Sequence, residues 1–106
     1  MHYLQNDYQR LKSDIKTLDS TQRLLQLQPR DYIWKSQQNE QSPKRNFGFI
    51  AQEVQEIFPD LVSVSPDGMY GVDYTGLIAP LVKAIQEQQA LITQLTERIS
   101  ALEGKA

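Results

Sequence analysis

The stretch TGLIAPLVKAIQEQQALITQLTERISALE, residues 75–103, decides how this chain is built. Its apolar residues step by three and four: Ile78, Leu81, Ile85, then Ile92, Leu95, Ile99 and Leu102, with Gln88 standing in the gap. With Ile78 as heptad position a, every a is isoleucine and every d is leucine except Gln88. A strict seven-residue repeat keeps one narrow stripe facing a partner helix, so the spacing predicts a coiled coil. Roughly 28 helical residues would run about 42 Å. A domain of 106 residues does not need so long a helix for its own core. The stripe is therefore expected to be covered by other copies of the chain rather than by one helix folded back on its own domain.

Isoleucine at a with leucine at d favours two strands in a parallel coil. Val82 at e, with Ala84 and Leu91 at g, widens the apolar face in a way that suits a third helix. Gln88 places a polar layer in the seam, which fixes register at some cost in stability. Arg98 at g and Glu103 at the following e have the spacing of an interhelical ion pair. On these residues alone, dimer and trimer stay equally open.

Composition narrows the rest. A formal net charge of −2 gives no global basic footprint for nucleic acid. No cysteine is present, which excludes disulfides and thiolate chemistry. A single histidine, His2, argues against a histidine triad or a multi-histidine metal site, and no metal or other cofactor is expected. No apolar run reaches membrane-span length, and the N-terminus lacks a signal-peptide pattern. Met1 and His2 are compatible with a chain that continues upstream.

Taken in order, Arg10 to Lys16 alternates enough to predict a short strand or extended arm. Asp19 and Gln22 have capping-box spacing ahead of a short helix over 21–27, with Leu24, Leu25 and Leu27 turned inward and Pro29 ending it. Tyr32-Ile33-Trp34 predicts a strand over 30–36, and Phe47 to Ile50 a second one, making a hairpin with a polar tip at 37–45. Trp34 and Phe49 read as core. Gly48 within its strand suggests a bulge or a close backbone approach. A helix over 52–58 follows. A second hairpin turns through Ser65-Pro66-Asp67-Gly68. Thr75 is placed to cap the long helix, whose regular part is expected to begin only at Pro80.

Several of these pieces, in this order, resemble one family. They are Arg10-Leu11-Lys12 with Asp14-Ile15, Gly48-Phe49-Ile50-Ala51-Gln52-Glu53-Val54, and Phe58-Pro59-Asp60-Leu61-Val62. Asp67-Gly68-Met69, Val72-Asp73-Tyr74 and Gly76-Leu77-Ile78 with Pro80 complete the set. Together they resemble the C-terminal intramolecular chaperone domain of phage tailspikes and tail fibres, the peptidase S74 domain of endosialidase type. The resemblance implies an α+β fold: short β-hairpins and small helices, then a long C-terminal helix forming a parallel trimeric coiled coil. Residues 1–74 would be the chaperone body with its hairpin arm, and 75–106 the trimerisation helix. It implies a homotrimer acting on the upstream fibre or spike polypeptide of the same precursor, with no nucleic-acid or membrane partner. The domain would work in the host cytoplasm during phage assembly and be absent from the mature virion. By the same resemblance, Lys44 and Arg45 on the hairpin tip would touch the fibre.

Such domains release themselves by cutting at Ser-Asp-x-Arg-x-Lys, serine acting as nucleophile and lysine as general base. Arg10-Leu11-Lys12 matches the second half, which makes Lys12 the candidate base. A lysine fills that role when burial or neighbouring cations favour its neutral form. The first half is altered. Asp7 stands five residues before Lys12, and a one-residue insertion would put Asn6-Asp7 in place of Ser-Asp. Neither Asn6 nor Asp7 carries a hydroxyl, so this polypeptide is expected not to cut itself. A released product, a removed serine and a non-cleaving member all fit that sequence.

Glu53, Glu56, Asp60, Asp67 and Asp73 have no spacing that forces a catalytic carboxylate pair, so capping and turn roles are expected. Two rival functions remain at this point. One is a trimerising, self-cleaving domain of a cellular protein such as a membrane-tethered transcription factor. The other is a non-cleaving coiled-coil oligomerisation domain.

Overall fold

Aromatic and β-branched side chains at residues 32–34 and 47–50 favour extended backbone. The computed structural model, which describes residues 10–104, places its strands slightly earlier, over 30–32 and 46–48. Strand β1 (Arg30–Tyr32) pairs antiparallel with β2 (Asn46–Gly48), in the register Arg30↔Gly48, Asp31↔Phe47 and Tyr32↔Asn46. β1 stops at Tyr32, short of residue 36, because a 3₁₀ turn over Lys35–Gln37 intervenes. Trp34 caps that turn and is 58% exposed, so it is not a core residue. Phe49 is half-buried against the core. Gly48 answers a close approach: a Cβ there would lie 2.8 Å from the Tyr74 hydroxyl, which accepts the Phe49 N–H at 3.2 Å.

Strand β3 (Val62–Val64) pairs antiparallel with β4 (Tyr70–Val72). The turn between them closes through Gly68 N–H to the Ser65 carbonyl at 2.9 Å and Ser65 N–H to the Met69 carbonyl at 2.8 Å. Gly68 has φ +85°, and nothing lies within 4 Å of where a Cβ would sit. The left-handed backbone alone therefore sets the cost of a side chain there. Gly68→Ala is expected to lower stability by about 1–2 kcal/mol, read as a lower urea midpoint at unchanged slope.

Helix α1 (Thr21–Leu24) is a single turn. Its N-cap is Ser20, with no side-chain capping bond, so the Asp19–Gln22 capping box does not form. Leu24 and Leu27 are buried, but Leu25 is 63% exposed, contrary to the inward position expected of it. The turn is too short to bury adjacent leucines on one face. Helix α2 (Ala51–Ile57) buries Val54 to 1% exposure and ends at Phe58, ahead of Pro59. Arg10 to Lys16 forms no strand. It is exposed throughout, with Leu11 at 79% and Ile15 at 68%, and Asp14 turns the backbone at φ 54°.

A 3₁₀ turn over Thr75–Leu77 leads into helix α3 (Ile78–Glu103). The regular helix begins two residues before Pro80. The first four N–H groups of a helix have no partner within it, so the missing proline donor costs no hydrogen bond. Thr75 makes no cap. Asp73 does the work instead, its Oδ1 accepting the Gly76 N–H at 3.2 Å.

The architecture is α+β: two small hairpins, short helices and one long C-terminal helix. The core is Leu24, Leu27, Val54, Phe58, Leu77 and Ala84, with Ile57, Leu61, Val62 and Val72 packed around it. Arg23 lies 4.6 Å over the Phe58 ring and donates to the Ile57 carbonyl, tying α1 to the end of α2. The radius of gyration is 20.2 Å, against about 13 Å for a compact chain of this size, because α3 runs about 39 Å and leaves the body behind.

Candidate functional site

Two apolar stripes run up the first turns of α3, one residue apart. Leu77, Pro80 and Ala84 occupy g and c positions, and the stripe ends at the next c residue, the charged Glu87. Leu77 is 3% exposed, Ala84 5%, and Pro80 is buried, because α1 and the core pack on this flank. Ala84 therefore belongs to the body and does not widen the seam. One residue along the chain lies the a/d stripe, rotated by about 100°. Ile78 is 58% exposed, Leu81 50%, Ile85 65%, Ile92 55%, Leu95 54%, Ile99 56% and Leu102 68%; Gln88 among them is also exposed. Val82 (48%) and Leu91 (56%) extend the open face. The flank beside it is polar: Gln89 donates to Thr93 at 3.5 Å, and the Thr96 hydroxyl to the Ile92 carbonyl at 2.8 Å. A long helix with an apolar face bare over its whole length is a candidate interaction surface.

The g/c stripe escaped the sequence reading. Its signal is the apolar spacing 77-80-84, which repeats the 3–4 step of the seam one residue earlier.

The hairpin tip is braced at its base. Arg45 Nε donates to Asp31 Oδ1 at 2.7 Å, and its Nη2 to the Asp31 carbonyl at 3.2 Å. Arg45 is thus held within the hairpin, while Lys44 is exposed beside it. Arg30 grips Glu53 through two bonds, 3.0 and 2.7 Å, fastening β1 to α2. The Arg30 hydrogen bond holds the Glu53 carboxyl below its ordinary range. Asp67 is held low as well, by the Ser65 hydroxyl and then by the Met69 N–H. Both groups are depressed in the folded chain relative to the unfolded one. Their contribution is thus present above the usual carboxylate range, about pH 4, and fades as pH falls through their folded values. Urea midpoints are expected to drop on acidification below about pH 4. Glu53→Gln and Asp67→Asn should each flatten that drop.

Lys12 lies in the exposed segment before α1, and within one copy nothing buries it. Asn6 and Asp7 fall outside the described residues. Among the described residues, Lys12, the tip cations and the seam share no hydrogen bond or ion pair. Asp67 and Asp73 serve a turn and a helix start, Glu53 an ion pair, and among the described residues no three acidic or histidine side chains gather as a metal site would need.

The family model for Peptidase S74, described as chaperone of endosialidase, matches residues 9–63, just over half of the chain. The chain belongs to this family. An S74 assignment over that span rests on the body: Lys12, α1, the first hairpin, α2 and most of β3 fall inside it, and α3 falls outside. The seam is therefore an observation independent of the match. A relative, Long tail fiber protein Gp37 of Escherichia phage AR1, is 32% identical over 90 residues, 80% of this chain. The aligned stretch is only 8% of that protein's length.

Proposed function

We propose that this S74 domain trimerises through the a/d seam as a parallel coiled coil. By doing so it acts as an intramolecular chaperone for an upstream phage tail-fibre or tailspike polypeptide. The observation that carries this reading is the seam, bare from Ile78 to Leu102 on a single copy. The S74 membership supplies the chaperone role, and the tail-fibre relative the class of client. Among the oligomers the seam allows, the family resemblance favours three strands, and Arg98 and Glu103 would pair between neighbours.

The physical reason for such a device is kinetic. A fibre of intertwined chains has high contact order, so its first contacts carry a large loop-closure cost. Early trimerisation raises the effective concentration of the three clients and sets their register. Lys44 and Arg45 at the hairpin tip would meet the client, Arg45 from its ion pair with Asp31. The work would take place in the host cytoplasm during assembly, and the mature virion would lack the domain. Release in this family is a self-cut, with Lys12 at the base position. Asn6-Asp7 supplies no hydroxyl, so this chain is expected to stay whole. Intact mass after days at 37 °C checks that, and loss of a fragment near residue 7 would refute it.

The chaperone role is tested by refolding the upstream polypeptide with and without this domain in the same chain. Native trimer is expected only with it. Equal yields of native trimer from both would remove the chaperone role.

A further inference from the structure

The two stripes of α3 meet at one groove. Its volume is about 360 Å³, and Leu24, Leu25, Leu27 and Pro29 line it together with Leu77, Leu81 and the rings of Phe49 and Tyr74. Leu77 belongs to the buried stripe and Leu81 to the open seam, so groove and seam form one continuous apolar surface. Leu25, at 63% exposure, presents its side chain to water at the rim.

Coiled-coil geometry says what reaches this place. In a parallel coil each g residue faces the e residue five positions later on the neighbouring helix. Leu77 is a g residue, and its counterpart is position 82. The e positions of α3 are Val82, Gln89, Thr96 and Glu103. Only Val82 is apolar, and it is the one whose counterpart has an apolar groove beside it. Higher up, where α1 no longer flanks the helix, the e residues are polar. The sequence thus changes character at the height where the body ends.

We propose that the partner subunit's Val82 seats in the open mouth of this groove against Leu25, with the buried Leu77 behind it, so that body and coiled coil close as one interface. The proposal rests on the parallel-trimer reading above. It makes each body incomplete without its neighbour: the groove that one copy leaves bare is a socket for the next. Assembly of the helices would then cover the groove on each already folded body.

A double-mutant cycle on the full chain tests this. Leu25 and Val82 are both exposed on one copy, so Leu25→Glu and Val82→Lys should keep the monomer fold, checked by circular dichroism. Sedimentation equilibrium is expected to give each single variant an association constant at least tenfold below wild type. In the double variant the introduced charges face each other, and its loss should be clearly smaller than the product of the two single losses. If Leu25→Glu associates like wild type, or if the two losses simply multiply, the socket is wrong while the trimer stands. If the wild type is itself monomeric at micromolar concentration, the trimer reading falls and the socket with it.

Discussion

Ile92→Asp is expected to abolish self-association while leaving the body folded. Ile92 sits at an a position beyond the reach of α1, 55% exposed on a single copy, so a monomer has little use for it. In a trimer three copies of it would meet at the axis. Burying one such side chain is worth roughly 2 kcal/mol, so three are worth about 6 kcal/mol per trimer, close to a 10⁴-fold change in association constant. Three carboxylates in one dry layer add repulsion and desolvation to that loss. Sedimentation equilibrium at micromolar concentration measures it. Helicity should fall too, because a long helix without a covered face is marginal in water. A variant that sediments like wild type would mean that the seam faces nothing.

Phe58→Ala should do the reverse, unfolding the body while the distal part of α3 keeps associating. Phe58 is 6% exposed, lies in a small core with Leu24, Leu27, Val54, Leu77 and Ala84, and carries Arg23 on its ring face. Truncating a buried phenylalanine costs about 3–5 kcal/mol. Domains of this kind rest on about 5–15 kcal/mol in total. Hydrogen exchange should show residues 21–72 losing protection while residues 88–103 keep theirs in the associated state. Equal loss in both segments would mean that body and distal helix fold as one unit.

These opposed outcomes come from the division of α3 into a stripe used within the chain and a stripe left over. Periodicity announces that a helix face is apolar. It does not say whose atoms cover it. Ala84 illustrates this: at a g position beside isoleucine a residues it reads as part of a broad seam, yet α1 covers it, and α1 lies some sixty residues upstream. Leu25 and Trp34 illustrate the opposite. Both are large and apolar, and both face water because a one-turn helix and a 3₁₀ turn aim them outward, Leu25 even between the buried Leu24 and Leu27.

Local signals fared best where a short-range preference had no competitor. The turn at Gly68, the proline after α2, the two hairpins and the close approach at Gly48 were all legible, since each depends on backbone sterics within a few residues. Capping was less so. Asp19, Gln22 and Thr75 have the right chemistry, but α1 has no side-chain cap at all and Asp73 serves the start of the long helix, because the chain's path decides which oxygen reaches an N–H.

By itself, then, the sequence established an α+β chain ending in a long helix with a heptad seam. It also carried the order of motifs that marks an S74 domain, and the lack of a hydroxyl at Asn6 and Asp7. Only the tertiary structure decided which stripe of that helix the body covers, that Arg45 and Glu53 are committed to ion pairs, and that a bare groove adjoins the seam at Leu81. The reason is that spacing along a chain is fixed by covalent geometry. Burial is fixed by what arrives from far away to lie against it.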